Sequence, residues 1–142
     1  MIQRYRNKIS GPLLDRIDIH VEVPAVKYKE MAGDTTGEPS EAIRARVEGA
    51  RTTQRRRFVG RDGLNCNARM APKDIKEHCV LDEESQELLK MAMTELNLSA
   101  RAYDRILKVS RTIADLDRQQ NIQSQHISEA IQYRTLDRQL WV

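Results

Sequence analysis

The sequence predicts a mainly α-helical protein: a compact bundle of about five helices, preceded by one β-strand that has no partner. Three observations carry this. The stretch from Leu98 to Asp117 runs without Gly or Pro and repeats apolar residues at three and four. Arg, Glu, Gln, Ala and Leu, all good helix formers, are abundant elsewhere. Only residues 17–23 alternate with the period of a strand.

The N-terminal sixteen residues, MIQRYRNKISGPLLDR, read as the middle of something larger. Gly11-Pro12 marks a turn. Ile17, Ile19, Val21 and Val23 then alternate with Asp18, His20 and Glu22 until Pro24 ends the run. This is the pattern of a half-buried strand, with His20 on its solvated face. A lone strand cannot satisfy its own backbone groups. Residues 1–24 are therefore read as the end of another domain, expected to lack order without its sheet. Residues 25–37, with Gly33, Asp34, Thr35, Thr36 and Gly37, read as a linker, and residues 38–142 as the helical domain.

The first long helix is predicted from Pro39 or Ser40 to about Arg57. Ile43, Val47, Ala50 and Phe58 mark its apolar side. At about 100° per residue, Arg44, Arg51 and Arg55 share a flank of it. Arg56, Arg57 and Arg61 follow at its end, where the helix dipole favours cations. Such a stripe suits nucleic-acid phosphates, or it is simply a solvated face. A loop over 59–70 holds Gly60, Asp62, Gly63 and Asn65. Pro72 opens a short helix to about Cys79, and Asp82 caps the next, which runs to about Asn97 with Leu88, Leu89, Ala92, Met93 and Leu96 inward.

Ser99 caps the central helix. Tyr103, Ile106, Leu107, Ser110, Ile113 and Ala114 form its apolar stripe, with Arg105, Lys108, Arg111 and Asp115 mostly off it. Residues 119–123 make a polar break, and Ser124 caps a last helix to about Leu136 whose apolar residues are Ile127, Ala130, Ile131 and Tyr133. Leu140 and Trp141 follow.

Charged residues make up 32% of the 142, and Lys plus Arg exceed Asp plus Glu by only 24 to 21. The location of the arginines therefore matters more than the total. No apolar run has the length of a membrane span and no signal peptide opens the sequence, so a cytoplasmic location is expected. Two cysteines, Cys66 and Cys79, suggest free thiols rather than a disulfide framework. With His78 they lack the paired Cys-x-x-Cys of a zinc knuckle, and no metal site is assigned.

There is no Ser–His–Asp set, no His-Glu-x-x-His and no Gly-rich phosphate loop, so the chain alone holds no complete active site. Two arginines nevertheless stand where phosphate chemistry would use them. Arg16 precedes the predicted strand. Arg101 occupies the first turn of the central helix, where the dipole disfavours a cation by about 0.3–1 kcal/mol and free N–H groups favour an anion.

The segment ISGPLLDRIDIHVEVP (residues 9–24) resembles the late core of the magnesium-chelatase-like AAA+ ATPases, specifically the ComM/YifB competence type. LSARAYDRILKVSRTIADL (98–116) and HISEAIQYR (126–134) resemble the lid of the same family. The resemblance implies a ring-forming, hexameric ATPase that acts on DNA in uptake and recombination, with a helicase-like branch-migration role. It implies ATP and magnesium for the whole protein and neither for this chain by itself. Arg16 then matches the arginine finger, which reaches a neighbouring subunit's nucleotide, and Arg101 the sensor-2 arginine, with Arg105 as the alternative one turn on. The strand over 17–23 becomes the last strand of the core sheet. Two other readings compete: a stand-alone helical nucleic-acid-binding module using Arg44, Arg51, Arg55, Arg56 and Arg57, and a true magnesium-chelatase ATPase subunit.

Overall fold

The computed structural model describes residues 11–14, 16–25 and 37–134. A single helical turn, α1 (Gly11–Leu14), precedes the bundle. The bundle comprises α2 (Ser40–Arg57), a 3-10 turn (Asn67–Arg69), α3 (Pro72–His78), α4 (Glu83–Glu95), α5 (Ala100–Leu116) and α6 (Ser124–Gln132). The predicted linker falls almost entirely outside the described residues, as do Leu136, Leu140 and Trp141. No helix among the described residues is long and apolar enough to cross a membrane.

α5 is the hub. α2, α3, the 3-10 turn and α6 all pack on it, and α4 packs on α6. Ser99 starts it as expected, its Oγ accepting the Ala102 N–H at 3.1 Å. Asp82 does the same for α4, accepting the Ser85 N–H at 2.8 Å. Ile106 and Leu107 are buried against Phe58, Ile75, Leu89 and Ile127. Each such side chain contributes about 1.5–3 kcal/mol by leaving water.

Four local expectations are corrected. Among the described residues no strand forms, and residues 17–25 run without regular structure. The alternation is present but turned over: Ile17, Ile19, Val21 and Val23 face solvent, whereas His20, expected on the solvated side, is buried. The backbone explains it, because with no sheet to join the segment bonds to the bundle instead. The His20 N–H donates to the Tyr133 carbonyl at 2.8 Å, and the Arg134 guanidinium donates to the Ile17 carbonyl.

The buried side of α5 also reaches further round than the apolar stripe, since Arg111 and Asp115 lie inside it and Tyr103 is exposed. α6 ends at Gln132 rather than Leu136. Its N-cap is Gln123, not Ser124, and the capping acceptor is an imidazole: the Gln123 N–H donates to His126 Nδ1 at 3.0 Å. An amide N–H can only donate, so Nδ1 accepts and Nε2 carries the proton toward Asp117, 3.2 Å away.

Candidate functional site

The first turns of α5 carry two of the residues that the sequence singles out, Arg101 and Arg105, and Arg105 pairs with the segment that follows a third, Arg16. Arg16 is exposed and closes α1, its Nη1 donating to the Pro12 carbonyl at 2.7 Å. Two residues on, Asp18 pairs with Arg105 at 2.5 Å. Arg101 stands one turn before Arg105, exposed in the first turn of α5. The segment after Arg16 is thus tied to the helix that carries Arg101. Of the two sensor candidates, Arg101 is exposed and Arg105 is half-buried in its pair with Asp18.

α2 supplies the second cationic surface. Arg44, Arg51, Arg55 and Arg56 are exposed on it, Arg55 Nη2 donating to Thr52 Oγ1 at 3.0 Å. Arg57, grouped with them on sequence position, points the other way. It makes a two-pronged pair with Asp115, at 2.5 and 2.7 Å, and donates to Asn67 Oδ1 at 2.8 Å.

That pair is the centre of a buried polar network which the sequence did not reveal. Asp115 also accepts from Asn67 Nδ2 at 2.8 Å and lies 3.2 Å from Arg111. Arg111 donates to the carbonyls of Gln119 and Gln120, both at 2.8 Å. Gln54 Oε1 accepts the Asn67 N–H at 3.1 Å. The network locks α2, the 3-10 turn and the end of α5 together. Burial pulls the Arg111 guanidinium below its ordinary range against the opposing pull of Asp115, and burial pushes the Cys79 thiol up to about 11. The one available signal for the network was the Arg111–Asp115 pair at i, i+4 on the central helix. Asn67 falls in the predicted loop over 59–70 and opens the 3-10 turn, and nothing in the sequence distinguishes it.

Cys79 is buried, Cys66 half-buried, and the His78 ring packs edge-on to Phe58 at 5.4 Å. No group of three or more His, Cys, Asp or Glu side chains among the described residues is arranged to hold a metal ion.

Comparison with known proteins gives this geometry its context. The family described as magnesium chelatase, subunit ChlI C-terminal, matches residues 37–134, and that described as magnesium chelatase, subunit ChlI, matches residues 1–31. The competence protein ComM of Haemophilus influenzae is 43% identical over 98% of the chain. YifB of Salmonella typhimurium is 38% identical and YifB of Escherichia coli 39% identical, each over 96% of it. The chain spans only about a quarter of the length of these relatives, 26% of each. With one family model covering most of the helical bundle and ComM and YifB matched nearly end to end, the chain belongs to the magnesium-chelatase-like proteins of the ComM/YifB type, and its bundle is the family's C-terminal domain.

Proposed function

We propose that the chain is the helical lid of a AAA+ ATPase that acts on DNA, together with the end of the core that precedes the lid. In this reading residues 1–24 close the nucleotide-binding core, 25–37 link it to the lid, and 38–142 are the lid. The whole protein uses ATP and magnesium, assembles as a hexameric ring, and works in competence or recombination as a branch-migration helicase. The relative named as a competence protein supports the DNA role.

The observation that carries the proposal is the Asp18–Arg105 pair, which ties the segment following Arg16 to the first turns of α5. In this reading Arg16 and Arg101 face one polyphosphate at a subunit boundary. A guanidinium there supplies planar paired donors and a fixed positive charge to the phosphoryl oxygens, where negative charge is spread in the transition state. Arg101 sits where the N-terminal amides of α5 also favour an anion. Arg44, Arg51, Arg55 and Arg56 form the DNA-facing side of α2.

ATP turnover of the complete protein tests this. Arg16→Ala should lower it by roughly 10³–10⁵, about 4–7 kcal/mol of barrier, the range of an arginine finger. Arg101→Ala should lower it as well, with Arg105→Ala weaker. Ring assembly is measured in parallel by sedimentation. Near-wild-type turnover in an assembled Arg16→Ala or Arg101→Ala ring removes that residue from the site.

A further inference from the structure

α5 leaves its last turn through Arg118, whose φ is 58°. The closing bonds run from the Arg118 N–H to Asp115 O at 3.2 Å and from the Gln119 N–H to Ala114 O at 2.8 Å. This is the left-handed helix ending that ordinarily takes glycine, because a Cβ is strained there. On α2 the opposite choice is made. Gly49 lies in the helix interior, where glycine is a poor residue, and a Cβ on it would meet nothing within 4 Å. Packing explains neither residue. Both line the same cleft of about 710 Å³, between α2, the end of α3 and the C-terminal end of α5. Locally unfavourable choices gathered on one surface are a mark of function.

The chemistry of the cleft is cationic. Four arginines line it, Arg46, Arg57, Arg111 and Arg118, against the carboxylates of Glu77 and Asp115. Asp115 is shared by Arg57 and Arg111, so two guanidinium groups meet one carboxylate in a buried place. Arg46 is balanced by Glu38. The C-terminal dipole of α5 brings partial negative charge, but Arg111 already engages the carbonyls that follow the helix. Arg111 Nε has no acceptor among the described residues. Asn121 adds a neutral amide donor at the wall, while the Thr53 hydroxyl donates to the Gly49 carbonyl at 3.2 Å.

We propose that this cleft binds a phosphate anion, with Arg118 as its main side-chain ligand and Gly49 allowing close approach to α2. The site is separate from the Arg101 end of α5, roughly 25 Å away at about 1.5 Å per residue. It goes beyond the DNA reading of the outer α2 face, because a phosphate here comes either from a nucleic-acid backbone or from a free phosphate compound.

The test is an amide NMR titration of the 142-residue chain at low salt, with inorganic pyrophosphate and, separately, with a twelve-residue oligo-dT. Saturable shifts are expected at Gly49, Thr53 and residues 118–121. Shifts with both probes, or with pyrophosphate alone, assign the site to phosphate in general; shifts with the oligonucleotide alone assign it to the nucleic-acid backbone. Arg118→Gly should weaken binding roughly tenfold, the loss of a charged hydrogen-bonding partner. Its thermal midpoint should hold or rise, because glycine suits the backbone there. The triple variant Arg51→Ala, Arg55→Ala, Arg56→Ala should lose DNA affinity but keep the pyrophosphate shifts, so the outer face and the cleft fail independently. No cleft shifts with either probe, or unchanged affinity in folded Arg118→Gly, overturns the proposal.

Discussion

Asp115 shows how one carboxylate can decide the fate of three neighbours. It takes hydrogen bonds from Arg57 and Asn67, pairs with Arg111, and is 2% exposed. Asp115→Ala would leave two guanidinium groups against a low-dielectric interior without their counter-charge, a loss of about 3–5 kcal/mol. The expected result is a large fall in the urea midpoint of unfolding, near the limit for a domain whose whole stability is about 5–15 kcal/mol. A midpoint within error of wild type would show that water replaces the carboxylate at little cost. The same residue marks where sequence reading stopped. Arg57 belongs by position to an arginine run at a helix end, and nothing local separates it from Arg55 or Arg56. Its partner lies 58 residues away. Inward and outward arginines become distinguishable only when α2 is laid on α5.

At the scale of elements, the bundle was legible because its signals are local. The spacing of Ile106, Leu107, Ser110 and Ala114 names the inner side of α5, and Ser99 and Asp82 announce helix starts with their own side chains. The strand was not legible, because a strand is defined by a partner. Residues 17–23 carry the right alternation, yet among the described residues their backbone bonds go to the end of the bundle. The cap at Asp82 also gives a pH prediction. Ser85, whose N–H donates to the carboxylate at 2.8 Å, holds the Asp82 carboxyl below its ordinary value of 3.8, against a smaller opposing effect of burial. A carboxyl lowered in the folded state adds stability above its unfolded pKa, and that stability is lost as pH falls through the folded value. Asp82→Asn keeps a capping oxygen but cannot ionise. Its urea midpoint should therefore fall less than that of wild type between neutral and strongly acidic pH. Identical acid profiles would mean that ionised Asp82 adds nothing beyond the neutral cap.

For the whole molecule, the exposed apolar residues argue that the bundle works inside something larger. Ile43 and Val47 lie on the same stripe of α2 as buried Ala50 and Phe58, yet are 43% and 45% exposed, because the first turns of the helix overhang the bundle. Val21 and Val23 are more exposed still. The chain spans 26% of the length of the ComM relative. The outer side of α2 differs, since its exposed residues include Arg44, Arg51, Arg55 and Arg56 and a protein contact would bury those charges at a cost. A DNA backbone would instead neutralise them and release counterions. In the complete protein, replacing Arg51, Arg55 and Arg56 together by Ala should therefore weaken DNA binding across all sequences alike. The slope of log affinity against log salt should fall by roughly 2–3, three contacts at about 0.7–0.9 each. ATP turnover without DNA should stay near wild type, because these residues lie on α2 and not at the end of α5 that holds Arg101. A reduced affinity with an unchanged salt slope would point to altered assembly rather than lost phosphate contacts, and an unchanged affinity would make the stripe a solvated face.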